Sequence, residues 1–159
     1  MTETQNQPNN EESVVIIGTR RDDVLYGSLG HNIFYGGLGN DTFIVNNRND
    51  QIVERYGEGT DTVYTHTTYT LPNYVENLTM TGHDNIFGFG NNSDNVLIGN
   101  SGNNRLSAGR GKDVLTAGRV MICCWQAMMT TNFMVATATI FCVAIMVTII
   151  WKETKATMF

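Results

Sequence analysis

Aspartate and asparagine recur at a fixed step in two stretches of this chain. Asp23, Asn32 and Asp41 are nine residues apart, and so are Asn95, Asn104 and Asp113. Each is the sixth residue of a short unit. The first stretch reads GTRRDDVLY, GSLGHNIFY, GGLGNDTFI from Gly18, and the second reads GNNSDNVLI, GNSGNNRLS, AGRGKDVLT from Gly90. Carboxylates and amide oxygens spaced this way, among glycine-rich turns that leave carbonyls accessible, suit a hard cation that takes oxygen ligands. Calcium takes six to eight of them in a flexible shell. Aspartate would supply charge; asparagine offers only a neutral oxygen and should bind more weakly. The competing reading is that these side chains cap their own turns through local backbone hydrogen bonds.

The elements that must position such ligands follow from the same step. Nine is not a helical period. Each unit joins a six-residue Gly/Asx turn to about three residues able to form a strand, with one large apolar residue at the eighth position: Leu25, Phe34 and Phe43, then Leu97, Leu106 and Leu115. A lone unit cannot bury its apolar face, but stacked units can, which predicts a solenoid. A shorter relative, HDNIFG (83–88), precedes the second stretch.

These units resemble the RTX, or haemolysin-type calcium-binding, repeat family over about residues 18–118. GGLGNDTFI (36–44) fits the pattern G-G-x-G-x-D-x-U-x at every position. The resemblance implies an all-β fold, a parallel β-roll in which two repeats make one turn. It implies Ca2+ held between loops stacked on one side, by sixth-position side chains and by carbonyls of glycines such as Gly36, Gly37 and Gly39. On that rule Asp23 faces one ion with Asp41, and Asn95 pairs with Asp113. Asn32 and Asn104 fall on opposite-side loops with no sixth-position aspartate partner in their block. Affinity in the range of extracellular modules, roughly 10⁻⁴–10⁻³ M, is expected. Arg21 and Ser93 stand where the fourth-position glycine belongs, and Ala108 and Ala117 replace first-position glycines, so these loops are expected to depart from ideal geometry.

Between the blocks the nine-residue step is not evident. DQIVE, DTVYT, TYTLP and VENLTMTG read as short strands that continue or cover the stack. Asp50, Glu54, Glu58 and Asp61 could donate to calcium but read better as solvated acids. His31, His66 and His83 belong to no zinc motif, and Asp84 and Asp94 have no cleft to work across. With no GxSxG, P-loop or Rossmann fingerprint, the chain is not expected to be an enzyme.

The composition breaks at one point. All 16 glycines precede Arg119, and all 3 cysteines and both tryptophans follow it. The expected organisation is a disordered lead-in (1–13), a first repeat block (14–49), an inter-block β segment (50–82), a second block (83–119) and a hydrophobic tail (120–159). No basic n-region with an apolar stretch marks an N-terminal secretory signal, and the net charge of −5 argues against a nucleic-acid partner. The tail runs from Val120 to Trp151 without a charge. It could be a membrane-spanning helix or a buried one. A third reading explains the abrupt change: loss of one base near the Arg119 codon. Joining the last base of each codon to the first two of the next makes Met121–Ile122 spell Asp and Cys123–Cys124 spell Leu. These land at the sixth and eighth positions of the unit begun by AGR (117–119).

The expected function is calcium binding by a structural fragment of a larger secreted protein, with calcium ions as the only assigned partner. The alternatives are an adhesin or protein-interaction module, a fragment of an RTX-like lipase, protease or polysaccharide-modifying enzyme, and a membrane-anchored protein if the tail is native. The resemblance implies an extracellular location, by secretion without an N-terminal signal. A native tail would instead allow membrane contact through 120–151, and a frameshifted C-terminus, which would have replaced any export signal there, would retain the chain in the cytoplasm.

Overall fold

The computed structural model describes residues 13–117 together with the backbone of the short segments 119–122, 132–135 and 150–151. The lead-in (1–12) and most of the tail lie outside the described residues.

Every pairing between strands is parallel. One face of the roll is a single sheet built from β2 (Val24–Tyr26), β4 (Thr42–Val45), β6 (Thr62–Thr65), β8 (Asn77–Met80), β10 (Val96–Ile98), β12 (Val114–Ala117), β14 (Asn132–Val135) and β15 (Ile150–Trp151). The other face carries β1 (Val14–Ile17), β3 (Asn32–Tyr35) and β5 (Gln51–Val53) as one sheet. Its second sheet is β7 (Tyr69–Thr70), β9 (Phe87–Phe89), β11 (Asn103–Ser107) and β13 (Arg119–Ile122). As far as β13 the chain crosses from one face to the other at each turn, so neighbours in a sheet are two strands apart in sequence; β15 pairs directly with β14. Where the tail is described it is strand, not the helix its composition suggested.

Period-two alternation turns one or two residues of these short strands inward. The register stacks these residues as rungs, Leu25–Phe43–Val63–Leu78–Leu97–Leu115 on one face and Phe34–Ile52, then Tyr69–Gly88–Leu106, on the other. All of the large ones are buried, and Phe34 meets Phe43 edge to face across the roll at 5.7 Å. Fully burying one such side chain contributes about 1.5–3 kcal/mol, so stability accrues turn by turn. Gly88 takes an inward position because Leu78, Leu106 and Met80 already fill the space a side chain would need.

The inter-block segment is part of this stack. The nine-residue step continues for one more unit, VNNRNDQIV (45–53), which places Asp50 eighteen residues after Asn32 and Ile52 eighteen after Phe34. Beyond it the turns change length. The step from Asp41 to Asp61 is 20 residues and that from Asp61 to Glu76 is 15. Unequal turns hide the period without breaking the sheet that carries β4, β6 and β8. The opposite face does break, between β5 and β7, where the Tyr69 hydroxyl donates to the Asp50 carbonyl at 3.1 Å and bridges the gap.

Candidate metal centre

The loops stack along two edges. On the first edge lie the loops 18–23, 36–41, 54–61, 71–76, 90–95 and 108–113; on the second lie 27–31, 46–50, 66–68, 81–86 and 99–102. The strands fix the height of each loop, so a side chain at the end of one loop reaches the loop one turn away.

Along the first edge this produces a ladder. The Asp23 amide donates to Asp41 Oδ1 at 2.9 Å, the Asp41 amide to Asp61 Oδ1 at 2.7 Å, and the Asp61 amide to Glu76 Oε2 at 2.9 Å. Further along, the Asn95 amide donates to Asp113 Oδ1 at 2.9 Å. Each of these rungs uses one oxygen of its carboxylate. The second oxygens of Asp41, Asp61 and Asp113, with Glu54 Oε2, are buried and accept no hydrogen bond. Glu54 Oε1 accepts the Gly36 amide at 2.8 Å. A Cβ on Gly36 would overlap both Glu54 Oε1 and Asp41 Oδ2, so the two carboxylates converge on the bare glycine.

Burial without compensation shows in the acid strengths. Glu54 is pushed up from 4.5 to about 7, by burial first and then by the facing charge of Asp61. Asp61 is pushed up from 3.8 to about 6, by burial and by the charges of Asp41 and Glu76. Asp41 and Asp113 are raised too, burial again leading. Buried carboxylates facing one another with free oxygens call for a cation. Among the described residues no three His, Cys, Asp or Glu side chains form a metal-binding group by themselves, so an ion here must complete its shell with loop carbonyls. The loops supply these at close range. A Cβ on Gly37 would overlap the Thr19 carbonyl oxygen, one on Gly109 that of Asn91, and one on Gly111 that of Ser93. A shell of carboxylate and carbonyl oxygens suits calcium, and the arrangement fits it.

On the second edge side-chain hydrogen bonds join the stacked turns around Asp50. Asp50 Oδ1 accepts the Asn32 amide at 2.8 Å and its side-chain Nδ2 at 2.9 Å. Asp50 Oδ2 accepts the amides of Asn46 and Asn47 at 3.3 and 3.1 Å. The side chains of Asn46 and Asn47 donate to the carbonyls of Gly27 and Leu29, taking up oxygens a cation would otherwise use. Asn100 does the same for Thr81 and Asp84. On the first edge Asn91 donates to the carbonyls of Pro72 and Val75, and Asn95 to those of Val75 and Glu76. Asparagine staples therefore close some gaps between turns, while other gaps hold unpartnered carboxylates.

The residues expected from the sequence divide accordingly. Asp23 with Asp41, and Asn95 with Asp113, are brought together one turn apart, and Gly36, Gly37 and Gly39 pack against the neighbouring turns. Asn32 finds an acidic partner just outside its block, Asp50, and this pair is closed by its own hydrogen bonds. Asn104 donates to Asn100 Oδ1 at 2.7 Å and keeps a buried, unpartnered Oδ1. Asp50, Glu54 and Asp61 are not solvated acids but buried ones. Glu58 is half-buried and accepts the Arg55 amide at 2.7 Å. Asp61 had a signal in the sequence: Asp61-x-Val63 repeats the spacing of Asp41-x-Phe43. Arg21, in place of glycine, is accommodated because Gly39 faces it one turn on with no side chain to collide.

The repeats of residues 15–43 and 89–119 match the RTX calcium-binding nonapeptide repeat (4 copies). These two stretches of the chain are repeats of the RTX family. The chain is a calcium-binding RTX-repeat module, an all-parallel β-roll. Such repeats are associated with secreted proteins. Over 89 residues the chain is 39% identical to the endo-1,3-1,4-beta-glycanase ExsH of Rhizobium meliloti (strain 1021); the match takes in 55% of this chain and 15% of that protein. The chain thus spans well under two thirds of that relative. No solved structure matches it.

Proposed function

We propose that this RTX roll is a calcium-dependent folding module of a secreted protein, and that its ions sit along the first edge only. Asp23 and Asp41 serve one gap, Asp41 and Asp61 the next, and Asn95 with Asp113 a third, each completed by loop carbonyls. The observation that carries this reading is the set of buried carboxylate oxygens without donors on that edge, set against the fully bonded Asp50 opposite. Without an ion the facing carboxylates oppose stacking. With one, binding free energy becomes folding free energy. The test is a calcium titration of the whole chain followed by far-UV circular dichroism, with magnesium as the control. Magnesium holds a tighter octahedral shell and gives up its waters reluctantly. A cooperative gain of β signal with calcium and none with magnesium supports the module; a calcium-independent spectrum overturns it.

The parent's activity is a second proposal. The likeness to part of an endo-1,3-1,4-beta-glycanase favours a role as the repeat portion of a polysaccharide-modifying enzyme. Fusing the roll's coding region to its genomic neighbours and assaying glycan hydrolysis tests this, and a parent without glycanase activity overturns it.

A further inference from the structure

The roll sets a ruler for the chain beyond it. Within the repeat blocks one turn is 18 residues, as the Asp23–Asp41, Asn32–Asp50 and Asn95–Asp113 contacts show. The same step appears in the backbone register Leu115↔Phe133 and Phe133↔Trp151. Stepping on from Leu106 and Leu115, the next inward positions are 124, 133, 142 and 151. Stepping on from Asn104 and Asp113, the next sixth positions are 122, 131, 140 and 149. The amino acids present there, Cys124, Phe133, Cys142 and Trp151, then Ile122, Thr131, Ile140 and Ile149, supply no carboxylate or amide ligand.

We propose that codons 120–159 are the next turns of this same roll read out of frame, one base having been lost at or near codon 119. The genetic code lets this be checked from the amino acids alone, because many codons that join the last base of one triplet to the first two of the next have a forced meaning. At the inward positions, Cys123–Cys124 spells Leu, Asn132–Phe133 spells Phe or Leu, Phe141–Cys142 spells Leu, and Ile150–Trp151 spells Leu or Met. All four are apolar. At the sixth positions, Met121–Ile122 spells Asp, while Thr130–Thr131, Thr139–Ile140 and Thr148–Ile149 are confined to Asp, Asn, His or Tyr. At the first positions, Trp125–Gln126 spells Ala, one turn after Ala108, and Met134–Val135 spells Gly. A stop is open only to the codons spanning Thr131–Asn132 and Thr154–Lys155. A native apolar tail has no reason to hide apolar residues at one phase of an 18-residue ruler and Asx-type codons at another. The shifted frame would place an aspartate one turn beyond Asn104, as Asp113 stands one turn beyond Asn95 and accepts its amide.

The first test needs only the coding DNA. The third bases of the Thr130, Thr139 and Thr148 codons are expected to be G or A, which spell Asp or Asn in the shifted frame. C or T at these bases, spelling His or Tyr, or a stop at either open codon, overturns the proposal. This arm does not depend on whether the roll binds calcium. The second test inserts one base in the Arg119 codon and compares the frame-restored chain with the present one by calcium titration. More bound calcium and a lower midpoint are expected. Unchanged stoichiometry and midpoint count against the proposal even if the DNA permits it.

Discussion

The Asp23 amide is held at 2.9 Å by Asp41 Oδ1, one turn further along the roll, while Asp41 Oδ2 is buried with no donor. A single carboxylate thus has a structural oxygen and an idle one. Asp41→Asn keeps an acceptor for the amide and removes the charge. It should leave the metal-free chain no less folded and raise the calcium midpoint several-fold. Asp41→Ala removes both functions. Leaving the Asp23 amide unpaired should cost about 1–3 kcal/mol in addition to the lost affinity. Circular dichroism during calcium titration of the two variants separates the roles; a parent-like calcium midpoint in Asp41→Asn would show that the idle oxygen does not meet the ion.

The second edge predicts the opposite behaviour for a residue of the same type. Asp50 spends both oxygens on the amides of Asn32, Asn46 and Asn47. Asp50→Ala should lower stability by about 1–3 kcal/mol with or without calcium, because buried amides lose their acceptor in either state. The number of ions bound, counted by isothermal titration in folding conditions, should not change. A lost ion in Asp50→Ala would place calcium on this edge as well.

The repeat step made the roll, its rung residues and the Asp23–Asp41 and Asn95–Asp113 pairs legible in the sequence, since position in a stack is set by count alone. It failed where the count changed. Glycine marks the turns of the blocks, but the unit 45–53 uses Asn46 and Asn47 instead, whose side chains do the stapling that makes the turn compact. Asp61 and Glu76 join the same ladder over steps of 20 and 15 residues, which no fixed period finds. Burial was the other hidden quantity: Asp50, Glu54 and Asp61 look like surface acids until the turns above and below them are in place.

Close stacking gives two glycines unequal weight. Gly39 has φ of +124° and sits against the backbone of Arg21 and Asp22 one turn away, whereas Gly57, at φ of +80°, faces open space. Gly57→Ala pays only for the left-handed conformation, roughly 1–2 kcal/mol, partly offset by a stiffer unfolded chain. Gly39→Ala pays that and must also push two turns apart beside Asp41. It should therefore melt at lower temperature than Gly57→Ala and need more calcium, while Gly57→Ala keeps the parent calcium midpoint. Thermal melts at saturating calcium rank the two, and equal losses would mean the turns are not in contact at Gly39.

Protons and calcium should act on the first edge in opposite senses. Glu54 is raised from 4.5 to about 7 and Asp61 from 3.8 to about 6, so the folded metal-free roll holds protons that the unfolded chain has released. Stability of that state is then greatest below about pH 4 and is lost as pH rises through 6 to 7. The ion requires the same oxygens deprotonated, so calcium affinity should rise over the same interval. The expected outcome is more β signal without calcium at about pH 5 than at about pH 8, and a lower calcium midpoint at about pH 8. Glu54→Gln removes one of the buried charges. It should flatten the pH dependence of the metal-free signal and weaken calcium binding at about pH 8. Circular dichroism across this range in chelator and in calcium checks both signs, and a metal-free signal that grows with pH would contradict the raised acids on which the site is built.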